Sequence, residues 1–123
     1  DGETFYSLAE QCPTINLDLS APGVSLPPRR LVRVVRNIRE VAQVRRPDVV
    51  VAFMHSMYIP AAFALANAKI PLVASEHIDA AHFADRPLER ILVSIARSAA
   101  DCITVPVAAV RDELAPRLRK KTV

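Results

Sequence analysis

The stretch Ile70-Pro71-Leu72-Val73-Ala74-Ser75-Glu76-His77 decides how this chain folds. Leu72 to Ala74 is an uninterrupted apolar run, and it breaks abruptly into the polar triplet Ser75, Glu76 and His77. A short apolar run of this kind reads as a strand buried in a parallel sheet, and the triplet as the point where the chain leaves it. Ligands of open α/β sheets bind just past the carboxyl ends of the strands. Glu76 and His77 therefore stand where chemistry is usually done.

Two neighbouring runs have the same form. Asp48 leads into Val49-Val50-Val51-Ala52-Phe53, continuous enough for a strand buried on both faces, with Met54-His55-Ser56 as its exit loop. Asp101 leads into Cys102-Ile103-Thr104-Val105, which Pro106 ends. Upstream, Thr14 to Leu19 alternates apolar and polar residues, as a half-buried edge strand does, behind a polar lead-in with a helical turn at Phe5 to Ala9.

The segments between these runs have helical spacing. After the loop Ser20 to Pro28, Leu31, Val34, Val35, Ile38, Val41 and Ala42 form one apolar stripe, with Arg29, Arg30, Arg33, Arg36 and Arg39 mostly off it. Pro47 stops that helix, because proline disfavours helical geometry at the residue before it. Ser56 is placed to cap a helix running to about Ala68, whose small side chains suit close approach to a sheet. Asp79 to Phe83 makes one turn. Asp85 then caps a helix with Pro87 near its start and a stripe of Leu88, Ile91, Leu92, Ile95, Ala96 and Ala99. Val107 to Leu114 is a last short helix. Strand and helix alternate throughout, which argues a Rossmann-like parallel sheet with right-handed crossovers, flanked by helices.

Composition agrees. The 123 residues are 51% hydrophobic, with 5% aromatic and no Trp. That favours layered α/β packing over an aromatic-rich sandwich. No apolar stretch approaches the roughly 18 residues of a membrane span, and the start, Asp1-Gly2-Glu3, has no secretory character. The missing initiator Met suggests that the chain begins inside a longer protein. Cys12 and Cys102 offer no disulfide framework, which suits a reducing cytoplasm, and Cys102 reads as a small buried hydrophobe. The net charge of +3 comes largely from the arginine helix and from Arg117, Arg119, Lys120 and Lys121. These make candidate contacts with phosphate or the anionic inner face of a membrane. Nucleic acid is not expected, because no aromatic residues or binding motif accompany the charge.

In register, Arg46-Pro47-Asp48-Val49-Val50-Val51-Ala52-Phe53-Met54-His55-Ser56, Ile70 to His77, and Ala99-Ala100-Asp101-Cys102-Ile103-Thr104-Val105 resemble the N-terminal domain of family-four, retaining, GT-B-type glycosyltransferases. The resemblance implies the acceptor-side half of a two-domain enzyme that moves a sugar from a nucleotide-sugar donor to a glycan or lipid-linked acceptor. The nucleotide-sugar is a co-substrate, and no cofactor or metal is required. Against that pattern, the opening glycine-rich loop and first two strands are missing, as is the donor-binding domain. Val107 stands where the family usually has a serine. The expectation is therefore a fragment, inactive alone, with an open edge on Val49–Phe53. A GT-B-type sugar-nucleotide epimerase, or a non-catalytic α/β binding module, is the alternative.

Five residues are candidates for the site. The resemblance makes His77 the catalytic one, donating a hydrogen bond to the donor or holding charge that develops in the transition state. His55, at the exit of the preceding strand, would share a cleft wall with it and bind acceptor. Ser56, Glu76 and Asp79 are further substrate-binding candidates, since carboxylates and hydroxyls accept hydrogen bonds from sugar hydroxyls. No metal is expected: Glu76 and His77 are adjacent on an extended chain and point apart, and no helical His-x-x-x-His pair exists.

Overall fold

The computed structural model describes residues 13–15, 17, 28–78 and 80–123. Thr14, Ile15 and Leu17 lie in no strand, and the remainder of the alternating stretch and the polar lead-in fall outside the described residues.

The first helix, α1, is Pro28–Arg45. Val34 and Ala42 are buried in its stripe, and Leu31, Val35, Ile38 and Val41 are half-buried. Arg46 ends it at φ 47, a left-handed conformation that caps a helix, and Pro47 disfavours the right-handed alternative there. Then come β1 (Val50–Phe53), α2 (His55–Leu65), β2 (Leu72–Ser75), a 3-10 turn (Ala80–Phe83), α3 (Pro87–Ala99), β3 (Cys102–Thr104), α4 (Ala108–Glu113) and α5 (Pro116–Arg119). The last of these has no counterpart in the sequence reading.

The strands lie side by side in the order β1-β2-β3, all parallel. Val50 pairs with Leu72 and Phe53 with Ser75, while Val73 pairs with Cys102 and Ser75 with Thr104. Asp101 holds the far end: its Oδ2 accepts from Leu72 N–H at 2.9 Å. Beyond β3, Thr122 bridges to Ile103 in parallel, so the C-terminal residues cover that edge.

Right-handed crossovers between successive parallel strands put α2 and α3 on one face of the sheet. α1 packs on α2, and α2 on α3. The main core lies beneath them: Ala52, Leu72 and Ala74 from the sheet, Tyr58, Ile59, Ala61, Ala62 and Leu65 from α2, and Val93 and Ala96 from α3, with Phe83. The alanines let α2 sit close to the strands. Each large side chain buried here contributes about 1.5–3 kcal/mol.

This one-sided arrangement corrects the expectation for β1. Ala52 is buried, but Val51 and Phe53 stay 49% and 58% exposed because no described helix covers their face. The β1 edge away from β2 is likewise unpaired among the described residues. Cys102 is only half-buried, on the same open side.

The caps also differ. α2 begins at His55, preceded by Met54, and Ser56 sits exposed inside its first turn instead of capping it. α3 is preceded by Arg86, with Pro87 in its first turn and no cap from Asp85. The buried face of α3 is Leu92, Val93, Ala96 and Arg97, so Leu88, Ile91 and Ile95 are exposed. Two cations also close helix ends. Arg39 donates to the carbonyls of Ala64 and Phe63 at the end of α2, at 3.1 and 3.0 Å. Lys121 donates to Ser98 O at 2.9 Å and to Ala100 O, closing α3, while burial lowers its pKa. Cations there offset the negative end of the helix dipole.

Candidate functional site

Side chains alternate across a strand, so the exit of β2 sends Ser75 and His77 to one face and Glu76 to the other. Glu76 goes under the helices and is fully buried. Its Oε2 accepts from Tyr58 OH at 2.5 Å, from Arg97 Nε at 3.0 Å and from Arg97 Nη2. Its Oε1 accepts from the backbone N–H groups of His77 and Ile78 at 3.0 and 3.1 Å. The carboxylate thus ties α2 and α3 to the exit loop, and both oxygens are engaged. Glu76, expected to bind substrate, therefore points under the helices, away from the open face that carries His77.

The electrostatics follow from these contacts. Burial pushes Glu76 upward, but the bonds from Tyr58 and Arg97 and the guanidinium charge outweigh it and hold the carboxyl below its usual range. Burial drives the Tyr58 phenol far above its ordinary value, so it remains a donor. Arg97 is raised despite burial, by its proximity to Tyr58 and its pairing with the Glu76 carboxylate.

His77 lies on the open face and is exposed. Its Nε2 is 3.0 Å from Ser75 Oγ, and Thr104 Oγ1 donates to that same oxygen at 2.9 Å. With Thr104 supplying one hydrogen to Ser75, the serine's own hydrogen is available for His77 Nε2. In that arrangement Nδ1 carries the proton and is the ring's donor. The Phe53 ring, 6.1 Å away between centroids, packs beside it. The rim is knitted by the backbone: Met54 N–H donates to Ser75 O and Glu76 N–H to Thr104 O, at 2.9 and 2.8 Å. Met54 adopts φ 65, costly for a side chain of its size and typical of functional loops.

His55 keeps different company. Its Nε2 is 2.8 Å from Glu89 Oε1, and its ring meets Phe83 edge-on at 5.1 Å. Burial lowers its pKa against the pull of Glu89. β1 and β2 are neighbours as expected; the His55 ring pairs with Glu89, whereas the His77 ring meets Ser75. Ser56 is exposed beside it, and Asp79 lies outside the described residues. Tyr58, Arg97 and Glu89 were not singled out from the sequence. Arg97 did leave a signal: with Val93, Ala96 and Ala100 it occupies i, i+4 spacing on the buried stripe. A charge there demands a buried partner.

Two hollows of about 500 and 390 Å³ open between the end of α1 and the α2–β2 turn, at the other end of the strands. The side chains above lie at the carboxyl ends, where an open α/β sheet does its binding.

A parallel sheet with a histidine and a braced loop at its carboxyl edge defines a Rossmann-like half of the GT-B class. The chain belongs to glycosyltransferase family 4, whose sequence model matches residues 9–122. It is also similar in structure to the UDP-GlcNAc 2-epimerase from Methanocaldococcus jannaschii, with TM-score 0.65 and 18% identity, over 87% of this chain and 32% of that one. The chain therefore spans about a third of that protein's length. No curated protein matches the sequence. No helix among the described residues is long and apolar enough to cross a membrane.

Proposed function

We propose that this chain is the acceptor-side part of a retaining glycosyltransferase of the hexosyltransferase type, acting on the cytoplasmic side in the synthesis of a surface glycan or glycolipid. The observation that carries the reading is the placement of His77: exposed past the end of β2, its backbone N–H held by Glu76 and its ring by Ser75. A ring held at Nε2 on an anchored backbone would offer its other N–H without reorganisation, which is what stabilises charge appearing on a departing nucleotide phosphate. His55, Ser56 and Asp79 would line the acceptor side. The open edge of β1 would be completed by further strands and its open face by helices, and a donor-binding domain in cis would face His77. The transfer step calls for no metal or cofactor. The exposed cations of α1, Arg29, Arg33 and Arg36, supply the means of peripheral contact with anionic lipid. The 123 residues alone would not transfer sugar.

The test is an assay of the full-length protein against a panel of nucleotide-sugars. His77→Ala should lower turnover by about 10²–10³-fold, as loss of a charge-stabilising donor does. Unchanged transfer overturns the assignment. The epimerase neighbour supplies a second reading, which product analysis separates. Transfer yields a glycosylated acceptor and free nucleotide, and epimerisation yields an isomerised sugar with no acceptor consumed.

A further inference from the structure

Beside the His77 rim is a second cluster, centred on His55, whose other members the proposed transfer does not use. His55 is the first residue of α2, His82 lies in the 3-10 turn, and Glu89 is in the first turn of α3. Their ligand atoms all lie within 4.8 Å of one another. The buried ring of Phe83 sets both imidazoles, meeting each edge-on at 5.1 Å. His55 Nδ1 is buried without a hydrogen-bond partner, so the ring's polar anchor is Glu89.

The cluster already faces a cation. Arg86 Nη1 lies 3.3 Å from His82 Nε2 and 3.4 Å from Glu89 Oε2. A guanidinium only donates, so His82 Nε2 presents its lone pair towards it, and Glu89 presents its second oxygen. The Arg86 side chain is 55% exposed and can swing into solvent.

We propose that His55, His82 and Glu89 bind a divalent transition-metal ion, zinc being the best match, in the place the Arg86 guanidinium now holds. Two imidazoles and a carboxylate suit a borderline cation, whereas magnesium and calcium prefer oxygen alone. Zinc holds such ligands at about 2.0–2.2 Å, which places donor atoms about 3.3 Å apart. His82 is exposed on a single turn and can close that gap. The ion pins the start of α2, the turn after β2 and the start of α3 together at the carboxyl edge of the sheet. Its solvent side remains open to water or another oxygen ligand. This site stands independently of the assignment of His77.

The experiment is a titration of tag-free, metal-stripped protein with Co²⁺, read by visible absorption, and with Zn²⁺, read by calorimetry. One ion per chain is expected, with excess Mg²⁺ failing to compete. His82→Ala and Glu89→Gln should each weaken Zn²⁺ binding at least about tenfold. Arg86→Gln should leave it equal or tighter, because it removes a competing cation. His82 and Arg86 are exposed, so these variants should keep the parent's circular dichroism. No stoichiometric binding to the parent protein, or binding that survives His82→Ala unchanged, overturns the proposal.

Discussion

Arg97 on α3 donates from Nε to Oε2 of Glu76 at 3.0 Å, and the carboxylate it meets is fully buried just past the end of β2. The pair connects helix packing to the loop that carries His77. A buried ion pair adds little compared with a well-packed apolar substitute, but removing one partner strands the other charge. Arg97→Leu should therefore cost about 3–5 kcal/mol, measured by urea unfolding. Glu76→Gln in the same background should recover part of the loss. Equal stability of Arg97→Leu and the parent would show that the pair is not desolvated in solution.

Glu76 also sets a pH dependence. Its folded-state pKa lies below that of an unfolded glutamate, near 4.3. Between the two values the unfolded chain binds more protons, so stability rises with pH. The contribution is complete above the unfolded value and disappears as pH falls through the folded one. Acid unfolding of the parent should thus be steeper than that of Glu76→Gln, and the two stability profiles should converge towards low pH. Parallel profiles would contradict the depressed pKa.

Tyr58 isolates one bond of the network. The phenol is fully buried and donates to Glu76 Oε2 at 2.5 Å. Tyr58→Phe keeps the ring in its packing and deletes only the hydroxyl. A hydrogen bond to a charged group contributes about 1.5–3 kcal/mol, and the unfolding free energy should fall by that amount. The variant should also raise the Glu76 pKa, moving the acid transition to higher pH.

The architecture was largely legible because its signals are local. Three apolar runs, each ended by Ser75-Glu76, Met54-His55 or Pro106, mark strands whatever surrounds them. What the sequence concealed depends on which faces meet. Leu88, Ile91 and Ile95 fit a buried stripe by spacing, yet α3 turns Val93, Ala96 and Arg97 inward. Val51 and Phe53 have the composition of a two-sided interior strand, but only one face is covered. At the site, alternation along β2 foretold that Glu76 and His77 would part. It could not foretell that Tyr58, 18 positions back, and Arg97, 21 positions on, would converge on the same carboxylate. Such convergence is set by crossover length and helix rotation, which leave no local mark.

The ring of His77 offers the finest test of the proposed chemistry. Thr104 Oγ1 donates to Ser75 Oγ at 2.9 Å, and Ser75 Oγ lies 3.0 Å from His77 Nε2. Ser75 is buried and His77 exposed, so the serine orients the ring from behind without touching a ligand. Ser75→Ala in the full-length enzyme should free the tautomer and the ring angle. Turnover should then fall by less than in His77→Ala, with KM for the donor little changed, since the bond acts on the developing charge rather than on ground-state binding. Thr104→Val, which removes the donor to Ser75 and leaves Ser75 Oγ in place, should lower turnover by less again. A Ser75→Ala enzyme with parental turnover would mean that His77 needs no orientation from the sheet.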